Sequence, residues 1–224
     1  GSVMSNWEIL WSARDQFWSG FLSTMEIFGL SVSAAFLIGC GMLYLLEGSR
    51  PRLTVPLRVF IDGMRMLPFL ILAYLLYYGL PAFDVRLDAW WSGVGALAVY
   101  HGCYFAEIFR GARLTFPPGQ VEAAKAHGFT KGKMFFRLIL PQIVMQTRPL
   151  LGNQLIYALK DTAFLVIITV RELTAAANSL SGTYFIPTEA FIVVIGFYWA
   201  VSVVMEIIIK QCGRFSAKRG FDHV

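Results

Sequence analysis

Apolar residues gather into five long stretches separated by polar segments: residues 17–46, 54–80, 90–109, 138–170 and 188–209. Each suits the run of about 20 helical residues that crosses about 30 Å of hydrocarbon. The first and fourth exceed that length, so tilting, kinking or projection beyond a bilayer is expected of them. The pattern predicts an all-α integral membrane protein, with residues 1–224 forming one transmembrane domain. Its one long polar interruption is GQVEAAKAHGFTKGKMFFRLILPQ, residues 119–142. A short helix can begin at Pro118, because a first turn does not use the missing N–H. Gly128 can end that helix in a left-handed conformation. Thr130 can cap the next one, and Pro141 restrains the start of the apolar run that follows. Residues 117–137 are therefore expected to form a helix–turn–helix on a membrane surface. It is small at Ala123 and Ala124 and charged at Glu122, Lys125, Lys131, Lys133 and Arg137.

Composition strengthens the membrane reading. The chain is 57% hydrophobic and 15% charged, whereas an ordinary soluble domain carries about 25% charged residues. The net charge of +5 is modest but unevenly placed. Segments 47–58, 110–148 and 210–224 hold fourteen of the 19 Lys and Arg residues. The positive-inside rule puts those segments in the cytoplasm. The amino terminus is then outside, the carboxyl terminus inside, and the polar helix–turn–helix cytoplasmic. No cleavable signal peptide is expected, because Trp7 to Gly20 is polar-aromatic. On the opposite side, Trp90 and Trp91 suit an interfacial belt. Residues 171–187 read as a solvated connector or as a short helix at the external mouth. Cys40, Cys103 and Cys212 have no paired spacing, which suggests neither a disulfide framework nor a metal site. His101, His127 and His223 lack ligand spacing. No GxxxxGK[ST] loop is present, so this chain is not itself a nucleotide-driven motor by that motif.

Ionisable groups inside spans are costly and usually face a cavity or a neighbouring helix. The candidates are Glu26, Asp62, Arg65, His101, Glu107, Lys160, Asp161 and Glu206. Asn153, Tyr157, Asp161 and Phe164 recur at helical spacing and share one face. That face offers an amide, a carboxylate and two aromatics, a set suited to an amino acid's ammonium group. Lys160 lies about 100° around the helix, available to a carboxylate. Asp161 reads either as part of such a pocket or as half of a buried structural pair. Arg65 reads as a site for an anionic group or as a snorkelling or paired arginine. Glu107 and Arg110, near the end of the third span, read as a gate or an inter-helix salt bridge. Glu26 and Glu206 have no evident partner.

The spacing of Glu122-Ala123-Ala124, Gly128 and Leu138-Ile139-Leu140-Pro141 resembles the EAA loop in membrane subunits of bacterial ABC importers. The wider chain, over about residues 60–202, resembles the polar amino acid permease branch of that family. Tyr77-Tyr78-Gly79-Leu80-Pro81, Ala106-Glu107-Ile108-Phe109-Arg110-Gly111, Lys160-Asp161-Thr162 and Glu172-Leu173-Thr174 carry the likeness in order. The resemblance implies a type I importer permease with five transmembrane helices and a cytoplasmic coupling helix between spans three and four. It implies that Gly119, Glu122, Ala123, Ala124, Lys125, Gly128 and Lys131 meet a separate cytoplasmic ATPase that binds ATP and Mg. No cofactor is then expected in this chain. The expected partners are a second permease subunit, identical or paralogous, two ATPases, an external substrate-binding protein and the lipid bilayer, but no nucleic acid. One departure stands out: the family's usual Arg-Gly-Thr-Pro reads Arg65-Met66-Leu67-Pro68 here, which puts the ordinary packing or pocket at that point in doubt. The substrate expected is a polar amino acid or a derivative such as an opine. An ion-driven transporter using Glu26, Glu107 or Asp161, or a non-transporting sensor of the same fold, are the alternatives.

Overall fold

The computed structural model describes residues 6–85, 88–168 and 187–218. Among them the chain is helical nearly throughout, with no strand. Helix α1 (Asn6–Ser12) turns at Ala13 into α2 (Arg14–Leu46), the longest element at 33 residues. Helix α3 (Pro51–Met66) starts with proline in its first turn, where no N–H is needed. It stops at Leu67, whose extended backbone is what the following Pro68 imposes. Helix α4 (Phe69–Tyr74) then leaves at a bend of 102° and runs on through wider and tighter turns to Phe83. The expected 54–80 span is thus two helices meeting at Leu67-Pro68.

Helix α5 (Ala89–Leu114) is capped by the Asp88 carboxylate, which accepts the Trp91 N–H at 3.2 Å. Helices α6 (Pro118–Ala126) and α7 (Lys131–Met134) form the polar elbow. A wide turn over Phe135–Ile139 joins α7 to α8 (Leu140–Asp161). Pro141 therefore does not restrain an abrupt start: the chain is already helical from Lys131, and the loosened turn before Pro141 absorbs its ring and missing N–H. A tight helical turn covers Thr162–Ile168. Helix α9 (Pro187–Lys218) closes the described chain. The end of the expected 138–170 span, and nearly all of the 171–187 connector, lie outside the described residues.

Arg14–Leu46 and Glu189–Arg214 are long and apolar enough to cross a membrane, and the bent pair makes a third candidate. Helix α5 is buried along much of its length, whereas α8 buries one face and leaves Leu150, Asn153 and Tyr157 exposed. Small residues bring α2 against α5. A Cβ on Gly39 would lie 2.7 Å from Phe105 Cβ, and one on Gly102 would lie 2.7 Å from Ile38 Cγ2. Close backbone approach of this kind is how helices associate where the hydrophobic effect supplies little. Ser31 adds a 3.4 Å hydrogen bond to the Val94 carbonyl. One core, containing Leu43, Phe105, Phe109, Phe135 and Ile139, joins α2, α5 and the elbow. A second, around Ile27, Phe69, Leu97, Tyr100 and Leu165, packs α4 beneath α5.

Candidate functional site

The elbow is built by local chemistry. Gly128 takes a φ of +78°, which L side chains rarely adopt. Its N–H donates to the Lys125 carbonyl and that of Phe129 to the Ala124 carbonyl, both at 3.0 Å. This pair of bonds is the Schellman stop. The Thr130 hydroxyl then accepts the Lys133 N–H at 3.2 Å and starts α7. Of the two alanines, Ala124 is buried in the core shared with Phe109, Met134 and Phe135, whereas Ala123 is exposed. Gly119, Glu122, Lys125, Gly128 and Lys131 are also exposed. One flank of α6 thus holds to its own chain and the other is open.

Polar links hold the elbow in place. The Gln142 amide donates to Gln120 Oε1 at 2.8 Å, tying α6 to α8. Arg113 grips Glu47 through two hydrogen bonds of 2.6 and 3.2 Å, joining the last turn of α5 to the end of α2. The Lys131 ammonium lies 5.4 Å from the centre of the Tyr44 ring.

A second constellation lies between α5 and α8. Tyr100, His101, Tyr104, Gln154, Tyr157 and Asp161 line a cavity of about 230 Å³. Tyr100, His101 and Tyr104 are neighbours at helical spacing on α5, and Gln154, Tyr157 and Asp161 are neighbours on α8. His101 is 1% exposed. Its Nε2 lies 2.8 Å from Asp161 Oδ2 and its Nδ1 lies 2.7 Å from the Gln154 amide nitrogen. A carboxylate only accepts and an amide NH2 only donates, so these partners define the neutral tautomer with hydrogen on Nε2. Asp161 is therefore both hydrogen-bonded to a buried histidine and part of a cavity wall.

The break between α3 and α4 borders this cavity. Ending α3 frees the Arg65 carbonyl, and the Tyr104 hydroxyl donates to it at 3.0 Å. The Arg65 guanidinium sits 5.6 Å from the Tyr104 ring centre and pairs with Asp62 at 3.4 Å and Glu107 at 3.9 Å. Glu107 is held more tightly by Arg110, at 2.6 and 2.8 Å, within one helix. Arg65 thus faces carboxylates of its own chain.

Asn153 is exposed and lies outside the cavity lining, because the packed face of α8 is turned one residue on, to Gln154. Phe164 is 40% exposed and also outside it. Lys160 is exposed, its ammonium 5.7 Å from the centre of the Tyr157 ring. The sequence pattern placed Tyr157 and Asp161 on one candidate pocket face with Asn153 and Phe164, gave Tyr100, Tyr104 and Gln154 no role, and counted His101 only among ionisable residues in spans. The available signal was His101 in an apolar span with tyrosines one residue before and three after it. Glu26 and Glu206 are both exposed.

The profile of the binding-protein-dependent transport system inner membrane component family matches residues 31–214. The chain belongs to that family. Among relatives of this permease is the octopine transport system permease protein OccM of Rhizobium radiobacter, 34% identical over 191 residues, covering 81% of this chain and 78% of OccM. The glutamine transport system permease protein GlnP of Escherichia coli strain K12 is 30% identical over 213 residues, covering 93% and 96%. A crystal structure of an amino acid ABC transporter with histidines superposes with a TM-score of 0.83 at 27% identity, covering 95% of this chain and 99% of that one. The permease is thus an inner membrane component of an ABC import system.

Proposed function

We propose that this permease forms half of the membrane path of an ATP-driven importer for polar amino acids or derivatives such as opines. It crosses the membrane five times, through α2, the broken α3–α4 pair, α5, α8 and α9, with its amino terminus outside and its carboxyl terminus in the cytoplasm. A second permease chain, identical or paralogous, completes the path. Two cytoplasmic ATPases, which bind ATP and Mg, dock on the elbows, and an external binding protein delivers substrate.

The observation that carries this reading is the open flank of α6. Glu122, Ala123 and Lys125 project from a short helix whose other flank, through Ala124 and Gln120, is fastened to the core. A displacement of that helix by a docked ATPase is then passed to α2, α5 and α8 rather than absorbed locally, a two-state element biased by a ligand bound elsewhere. The α5–α8 cavity is the proposed substrate site. Its volume is below the usual range for drug-sized ligands, about 300–1,000 Å³, and suits a single amino acid headgroup. Asp161 takes the ammonium, with Tyr157 beside it, and Lys160 is near enough to serve a carboxylate. Arg65, already paired, and the Glu107–Arg110 bridge set the charge around the path rather than bind substrate.

The test is uptake by proteoliposomes holding the permease with its ATPase and binding protein. Accumulation of labelled glutamine, arginine or octopine that requires ATP supports the reading. Accumulation driven by an ion gradient without the ATPase, or none of any probe, overturns it.

A further inference from the structure

The substrate reading leaves unexplained why a histidine only 1% exposed lies against the cavity carboxylate. We propose that His101 is a positioning residue that holds Asp161 turned so that one oxygen is kept for the substrate's ammonium group. This inference deepens the proposed substrate site and rests on it.

Three features of the geometry support it. First, a lone carboxylate inside a membrane protein is costly unless hydrogen bonds satisfy it. A hydrogen bond from a neutral N–H donor satisfies and orients one oxygen without pairing the carboxylate with a second charge. His101 Nε2–H at 2.8 Å from Oδ2 is such a donor. Second, the donor role is enforced from behind. With the Gln154 amide nitrogen 2.7 Å from Nδ1, the ring proton resides on Nε2, toward Asp161. Phe69 and Tyr100, with ring centres 6.4 and 5.1 Å from that of His101, restrict the ring's orientation. Third, no described residue hydrogen-bonds Oδ1 of Asp161, while Asp161 lines the cavity beside the rings of Tyr100, Tyr104 and Tyr157. An anionic oxygen among three aromatic rings suits a cation, since ring faces attract positive charge. The two nearby cations, Arg65 and Lys160, lie against the Tyr104 and Tyr157 rings rather than bonding to Asp161. The oxygen is therefore left for a positively charged group arriving from elsewhere.

The experiment measures ligand affinity on the purified permease–ATPase complex in nanodiscs, without the binding protein, so that the membrane site alone is read. The probes are arginine, glutamine and octopine, followed by calorimetry. An analogue with a hydroxyl in place of the α-ammonium group serves as the control for charge. Asp161→Asn should weaken binding by at least about 30-fold. His101→Phe, which keeps a ring but has no donor, should weaken it by about 10-fold. His101→Gln, whose amide N–H can reach the same oxygen, should stay within about threefold of wild type. Gln154→Leu, which frees the tautomer, should fall between these two. The hydroxy analogue should bind weakly to every version and discriminate little between them. A thermal melt of each complex identifies a variant that merely unfolds. If Asp161→Asn weakens binding but His101→Phe does not, or if His101→Gln is as poor as His101→Phe, the positioning role is wrong while the pocket survives. If Asp161→Asn binds like wild type, or wild type binds none of the probes, the pocket itself is wrong.

Discussion

Substituting Gly128 isolates the contribution of the elbow to coupling. Its φ of +78° is left-handed, and a Cβ there would meet nothing within 4 Å. Within this chain the cost of a side chain is thus confined to the backbone, and comparison with an asparagine of similar bulk controls for contact with the ATPase. A left-handed backbone costs an L residue roughly 1–2 kcal/mol, and a β-branched side chain belongs at the upper end of that range. The Schellman bonds from Gly128 and Phe129, both 3.0 Å, depend on that backbone conformation. Losing 1–2 kcal/mol lowers the population of the intact elbow relative to a frayed one by about 5- to 30-fold. Gly128→Val should therefore raise the ATP hydrolysed per substrate imported by several-fold in proteoliposomes, with the complex still assembled. Gly128→Asn, which tolerates the left-handed region, should remain close to wild type. If valine and asparagine couple equally well, the turn geometry is not what transmits movement.

Two further substitutions test the frame around the elbow and the cavity. Gly39→Ala should reduce accumulation of folded protein in membranes, by overpacking worth about 1–3 kcal/mol, because its Cβ would lie 2.7 Å from Phe105 Cβ; Gly41→Ala, with nothing within 4 Å, should accumulate normally. Glu47→Gln should lower the thermal stability of the solubilised complex by about 1–2 kcal/mol. The two bonds from Arg113 are then weakened, on side chains 14% and 27% exposed.

The elbow was legible because its determinants are local. Pro118, Gly128 and Thr130 each act on backbone within a few residues of themselves, so their spacing in the chain is their spacing in the fold. The cavity was only half legible because it depends on how α8 is rotated against α5. Asn153 and Gln154 are adjacent polar residues, and nothing within α8 decides which turns inward. That rotation follows from packing: Gln154 meets His101, while Gly152 admits Ile209 of α9 so closely that a Cβ would lie 2.5 Å from its Cδ1. Residues 54–80 read as one span in the sequence, so neither the Leu67-Pro68 break nor its 102° angle was anticipated. That angle also reflects non-local contacts, Phe69 against Tyr100 and the Tyr104 hydroxyl on the Arg65 carbonyl.

The side of the membrane on which the elbow lies decides more than any other quantity. With Cys212, the exposed cysteine among the described residues, replaced by serine, Ala123→Cys places one accessible thiol on the open flank of α6. A membrane-impermeant maleimide should leave that thiol unmodified in intact cells. It should react in inverted vesicles stripped of the ATPase, and be blocked there once the ATPase is restored. Labelling from outside intact cells, or labelling that the ATPase never blocks, would contradict the account.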